Sequence, residues 1–232
     1  MMKRVGLLVL GAVLLYACSE DNKNTMYVKA SVKGLKKGTF YLQKQLDSSI
    51  VSVDSVSVNG SDHFVMSDEV QSPEMYYLTM GNSANKIAFF GEKDTVNILT
   101  QLDLFSVRAK VTGSVNQEKL DQFYDMRQKF NNQKLDLIKE ELEAKKSGVE
   151  DSIVKVAEKM KNWERRKYLY TTNFAINNGN YEVAPYVALT ELVDANISLL
   201  DTINNSLSPE VKASKYGMQL DDFVREIKSS SK

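Results

Sequence analysis

Few side chains in this 232-residue chain are equipped for covalent or acid–base chemistry. There is one cysteine, Cys18, and one histidine, His63. A single thiol excludes a disulfide framework, a Cys-x-x-Cys redox pair and a structural zinc site. A single imidazole excludes multi-histidine metal ligation. His63 falls in an apparent strand, Asp62–Met66, beside Ser61. Neighbouring strand residues point to opposite faces, so Ser61, Asp62 and His63 do not read as a triad, and His63 reads as solvent-facing. Carboxylates pair at Glu140–Glu141, at Asp221–Asp222 and at Glu191 with Asp194, the last spaced to share a helix face. Glycosidases and divalent-metal sites use such pairs, but lysines crowd the same helices, as on any charged helix surface. Lys161, Arg165, Arg166 and Lys167 around Trp163 form a basic cluster that reads as a solvated helix face, with contact to anionic lipid as the minority option. No G-x-G-x-x-G, Walker, G-x-S-x-G or H-E-x-x-H motif is present. No catalytic residue, metal site or cofactor is expected.

The cysteine has a context of its own. Lys3 and Arg4 precede twelve mostly apolar residues, Val5 to Tyr16, too few to span a bilayer but suited to a secretory signal. Leu15-Tyr16-Ala17-Cys18 resembles the lipobox of bacterial lipoproteins, with Tyr16 departing from its usual small or aliphatic residue. Cys18 would become the acylated mature N-terminus, holding the chain to a membrane more firmly than one myristoyl group. Residues 1–17 then read as a signal peptide and 18–25 as a tether. Ser19, Glu20 and Asp21 resemble a surface-export signal of some Gram-negative lineages. An outer-membrane lipid anchor is expected, on the periplasmic or the surface face.

Loss of residues 1–17 leaves 28 Lys+Arg against 30 Asp+Glu, so no global charge steers the mature chain toward nucleic acid. The 43% hydrophobic content is enough for a packed core and excludes intrinsic disorder.

From Met26 to Thr112 the pattern is that of short strands. Met26, Val28, Ala30 and Val32 alternate with Tyr27, Lys29 and Ser31. Val51 and Val53 occupy one phase and Val56 and Val58 the other, which places a β-bulge at Asp54–Ser55. Asn59-Gly60 predicts a type I′ hairpin. Further strands are expected at 62–67, 75–80, 86–90, 95–99 and 107–111. Tyr76-Tyr77 and Phe89-Phe90 should each put one ring on either face, the outer rings being open to a sugar or peptide.

After Gly113 the period becomes helical. Leu120, Phe123, Phe130, Leu137, Ile138 and Leu142 predict a helix over 115–146, and Ile153 to Phe174 a second that pairs with it as a hairpin. A helix from Pro185 to about Asn205 and another from Ser208-Pro209 to about Lys228 complete the chain. The fold class is therefore α+β: an N-terminal antiparallel β-sandwich or barrel over 26–113, then a helical hairpin or bundle over 114–232.

In this order the segments YVKASVKGLKKGTFYLQ, VDSVSVNGSDHFVM, SPEMYYLTM, IAFFGEKDTVNI and AKVTGS resemble the DUF4369 domain, the N-terminal β domain of many thiol-disulfide oxidoreductase and peroxiredoxin-like lipoproteins. The helical part, with LSPEVKASKYGMQLDDFV, is similar to the linker preceding their thioredoxin fold. A thioredoxin-like domain with its Cys pair does not follow Lys232 in this sequence, so no catalytic residue is carried over. The expected function is that of a non-enzymatic envelope lipoprotein binding a protein or envelope component. The competing expectation is an accessory subunit that docks a thioredoxin-like enzyme in trans. Asp-Ser/Thr-aliphatic triplets at Ser55, Thr95, Ser152 and Thr202 also resemble an O-glycosylation sequon of some Gram-negative lineages, although strand, turn and N-cap roles account for the same residues.

Overall fold

A computed structural model describes residues 24–46, 48–81 and 83–230. Eight strands come first: β1 (Thr25–Lys33), β2 (Lys37–Leu46), β3 (Ser49–Asn59), β4 (His63–Glu69), β5 (Glu74–Met80), β6 (Lys86–Gly91), β7 (Asp94–Gln101) and β8 (Lys110–Thr112). They form two four-stranded sheets, ordered β4-β1-β7-β8 and β3-β2-β5-β6, which stay open and make a sandwich. Alternation sets the inner face: Met26, Val28, Ala30 and Val32 are all buried, and Phe40 stacks across the sandwich on Phe64 with ring centroids 4.3 Å apart. Burying side chains of this size stabilises by roughly 1.5–3 kcal/mol each relative to exposure.

Two connections differ from the expected pattern. β1 and β7 pair in parallel, which period-2 alternation cannot reveal because it fixes faces and not strand direction. Asn59-Gly60 does not make a hairpin. Only Gly60 takes a positive φ, +80°, and the chain there crosses from one sheet to the other instead of folding back. The Gly60 amide donates to the Lys36 carbonyl at 2.8 Å and the Val32 amide to the Asp62 carbonyl at 2.8 Å, fixing this corner to the β1–β2 turn. The bulge is present one residue early: Leu42 faces Asp54 but Gln43 faces Ser52, leaving Val53 as the extra residue. The strand expected at 107–111 is only β8, after a 3-10 turn at Leu102–Leu104.

The helices are α1 (Val115–Ser147), α2 (Glu150–Asn177), α3 (Val183–Glu191), α4 (Ile197–Ser206), α5 (Pro209–Lys212) and α6 (Lys215–Ser230). The Ser114 hydroxyl accepts from the Gln117 amide to open α1, and Gly148, at φ +69°, closes it. α1 and α2 form the expected hairpin, but Leu142 is 64% exposed and Ile138 sits at the surface, so the seam runs through Phe130, Leu137 and Ala144. The single helix expected over 185–205 is two, because Asn196 caps α4 by accepting from the Ser198 amide. The last helix is also two. Ser214 donates to the Val211 carbonyl at 2.7 Å, and Gly217 crosses so close that a Cβ there would lie 1.9 Å from the same oxygen.

The helices cover the outer face of the second sheet. Met75 and Phe90 pack there against Leu120, Phe123, Val183 and Val187 inside a ring of aromatics. Asn116 locks the contact: its amide donates to Glu92 at 2.8 Å and Glu182 at 3.0 Å, and its carbonyl accepts from the Val183 amide.

Candidate functional site

A cleft of about 850 Å³ lies where the sandwich meets the first turn of α6. The end of β2 contributes Lys44 to Leu46, the β4–β5 connection Gln71 and Ser72, β5 Glu74, and α6 Lys215 to Gln219. Lys44 and Tyr76 are opposed across β2 and β5, so both side chains lie on one face of the sheet. The Tyr76 ring is fully buried against Phe89, while its hydroxyl donates to Asp68 of the other sheet at 2.7 Å. Lys44 Nζ reaches the same carboxylate oxygen at 2.6 Å and Glu74 at 3.6 Å. Lys215 Nζ closes the network by pairing with Glu74 and donating to the Gln45 carbonyl at 2.7 Å.

Two ammonium groups thus face two carboxylates, all four largely withdrawn from water. Burial, with Asp68 as the second cause, pushes the Tyr76 phenol far above its ordinary range. Burial does the same to Tyr216, whose hydroxyl accepts from the Met75 amide at 3.0 Å, and to Tyr186. These phenols therefore stay protonated and act as hydrogen-bonding supports. The cleft has donors, acceptors and apolar surface from Leu46 and Met218, and its charges neutralise one another. That chemistry suits holding a neutral polar ligand.

Other residues singled out in the sequence fall elsewhere. Cys18, Ser19, Glu20 and Asp21, like residues 1–17, lie outside the described residues. His63 is exposed, with its side chain 70% accessible, and pairs with Asp62. Its other ring nitrogen is 3.5 Å from Ser31 Oγ, so the fold does align Ser31, His63 and Asp62. Ser31 sits mid-strand between β4 and β7, however, where backbone amides are spent on the sheet and provide no oxyanion site. Glu140 pairs with Lys159, Glu141 with Lys145, and Asp221 and Asp222 with Arg225. Glu191 and Asp194 do not share a helix face, because α3 ends at Glu191. Glu191 is held by Arg127 at 2.9 Å and Lys167 at 3.3 Å. Trp163 is buried in the hairpin, donating to the Phe130 carbonyl, while Lys161, Arg165 and Arg166 are exposed around it.

Neither ring of the Phe89–Phe90 pair is open to a ligand: Phe89 lies in the sandwich core and Phe90 is buried between Tyr186 and Tyr216. Each glycosylation triplet has a structural use for its aspartate. Asp54 accepts from the amides of Ser55 and Ser67, Asp94 opens β7 at φ +78°, Asp151 lies in the first turn of α2, and Asp201 pairs with Lys228. Ser55 and Thr202 are exposed and Thr95 and Ser152 half-buried, with the Thr202 hydroxyl donating to the Ser198 carbonyl.

Lys44, Asp68, Glu74, Lys215 and Tyr216 carry no motif that sequence reasoning could have used. Glu74 and Lys215 lie 141 residues apart, and only the folded sheet order joins them.

Residues 26–120 match the family model for a domain of unknown function, DUF4369. The DUF4369 region takes in the whole sandwich from Met26 and ends inside α1, so it supplies the sheet wall of the cleft and α6 lies outside it. No curated protein and no solved structure matches the chain.

Proposed function

We propose that this protein is a non-enzymatic, membrane-anchored lipoprotein of the cell envelope, held by lipid on Cys18 and acting as a binding module for a protein or envelope component. The cleft at the sandwich–helix junction carries this reading. Its volume falls in the range of about 300–1,000 Å³ typical of ligand sites. Its ionic groups are paired with one another, which favours recognition over proton transfer. The lipobox-like Leu15-Tyr16-Ala17-Cys18 supports anchoring in the outer membrane, and the resemblance of Ser19-Glu20-Asp21 to a surface-export signal supports the surface face beside the periplasmic one. Of the four glycosylation triplets, exposed Ser55 on the edge strand β3 most easily accommodates a sugar.

A second reading rests on the resemblance of the strand segments to the N-terminal module of thiol-disulfide lipoproteins, and residues 26–120 match DUF4369. In that reading the protein docks a separate thioredoxin-like enzyme. Labelled palmitate incorporation that disappears in Cys18→Ala, followed by in-cell crosslinking and mass spectrometry, tests both. Incorporation with recovery of outer-membrane or glycan-handling proteins supports the binding module. Recovery of a thiol enzyme, lost in Lys215→Glu, promotes the docking subunit. Absence of lipid incorporation overturns the anchor.

A further inference from the structure

The sandwich has two open sides, and the fold treats them differently. On one side the edge strands β3 and β4 are stitched together by Asp54, whose carboxylate accepts from the Ser67 amide at 2.8 Å. On the other side the edges are β6 and β8, and among the described residues no strand pairs the far edge of either.

The direction of the unpaired groups on β6 follows from one hydrogen bond. The Phe90 amide donates at 2.8 Å to Gln117 Oε1 of α1, so Phe90 turns its backbone groups away from β5. In an antiparallel ladder alternate residues share that orientation. Ala88 and Lys86 therefore also present their N–H and C=O groups outward, where no backbone or side-chain partner among the described residues meets them. An unprotected edge of this kind is a template for another strand. The five residues Lys86 to Phe90 span about 17 Å at the usual rise per residue.

A groove of about 390 Å³ runs along this edge, walled by β8 and by Gln117, Asp121, Tyr124 and Asp125 of α1. Its helix wall is acidic. Glu118, Asp121 and Asp125 lie on one helix face, and none pairs with a cation among the described residues. Burial pushes the Asp121 carboxyl up, its bond from Gln117 opposes this, and Asp125 and Glu118 add to the rise. The nearest β6 ammonium, on Lys86, is drawn off over the Tyr77 ring at 4.1 Å. Asp121 and Asp125 thus stand on the helix wall without an ion-pair partner among the described residues, while Lys110 lines the same groove from β8.

We propose that the outer edge of β6 binds an extended peptide segment of a partner protein as an added strand, with a Lys or Arg side chain of that segment set against Asp121 and Asp125. Main-chain bonds to Lys86 and Ala88 supply the docking, and the acidic wall selects the charge of the incoming side chain. A second copy of this chain fits the edge poorly, because pairing β6 with its own copy brings two acidic helix faces together. The site is separate from the α6 cleft and requires no lipid anchor.

The test is selection of a phage-displayed random decapeptide library on the full chain, followed by fluorescence anisotropy with the enriched peptides. Enriched sequences should alternate apolar residues and carry a Lys or Arg, and binding should protect the Lys86 and Ala88 amides from hydrogen exchange. Ala88→Pro removes an outward N–H without removing a β5–β6 ladder bond. Affinity should fall about tenfold or more in this variant while the unfolding temperature holds. Asp121→Asn with Asp125→Asn should weaken the basic peptides and leave charge-neutral versions unaffected, a readout independent of backbone changes at position 88. No enrichment, or enriched peptides that bind Ala88→Pro and the double Asn variant as well as the parent chain, overturns the proposal. So does a dimer of the parent chain that Ala88→Pro dissociates, since a second copy then occupies the edge.

Discussion

The two ends of the α1–α2 hairpin share a secondary structure and little else. Near the sandwich, α1 buries Leu120 and Phe123, and Phe123 lies among Tyr124, Tyr170 and Phe174. In the distal half, beyond Phe130 and before Trp163, only Ala144 and Val156 are buried, and Leu135, Leu142, Val149 and Val154 face solvent. What holds the far end is helix-forming composition, the Gly148 turn, and ion pairs such as Glu140–Lys159 and Glu141–Lys145. Exposed pairs of this kind contribute about 0–1 kcal/mol each. A helix can thus be continuous in geometry while its stability is concentrated at one end.

Mutation and exchange experiments can break this contrast. Phe123→Ala should cost about 3–5 kcal/mol, whereas Val156→Ala in the arm should cost about 1.5 kcal/mol, both read from denaturant melts. Equal losses would mean the arm is as tightly built as the base. Tyr216→Phe leaves the Met75 amide unsatisfied under the helices and should cost about 1–3 kcal/mol by the same assay. Native-state hydrogen exchange should show distal-arm amides opening well below the global free energy and basal ones near it.

Glu182 gives a smaller effect with a definite sign. Burial raises its folded pKa above the unfolded value, against the bond from Asn116, with Glu92 adding to the rise. Its contribution is complete below the unfolded pKa and is lost as pH rises through the folded one. Glu182→Gln should therefore melt above the parent chain at pH 7, with the advantage shrinking below the ordinary carboxylate range. A pH-independent difference would remove the buried charge as its cause. Least of all, Leu135→Ser with Leu142→Ser should stay within about 0.5 kcal/mol. A larger loss would reveal a hidden packing role for the arm.

The parts legible in the sequence were those set by local rules. Alternation placed Met26 to Val32 inward, a phase change located the bulge within one residue, and Ser208-Pro209 marked a helix start. What escaped depends on distant partners. Asn59-Gly60 has hairpin composition, but the β1–β2 turn captures it and redirects the chain. The break at Ser214 follows from how closely α6 passes Val211, which helical periodicity does not encode. Phe90 looks like an exposed strand aromatic until the helices are laid over it. The cleft was equally silent, since its lysines and carboxylates look like ordinary surface charges until the fold assembles them. Cys18 was the opposite case, conspicuous in sequence and outside the described structure.

The parallel pairing of β1 with β7 also imposes a timetable. β2 and β3 can zip as neighbours soon after both leave the ribosome or a translocation pore, because little chain separates them. β1 takes β4 as its first partner, and its other edge stays open until Asp94–Gln101 has emerged. Non-local closures of this sort are slow and leave sticky edges waiting. Chains cut after Gly91 should hence retain a protease-sensitive first strand, whereas chains cut after Thr112 should protect it. The first strand of the chain would then be among the last to lock, after the body it belongs to has largely taken shape.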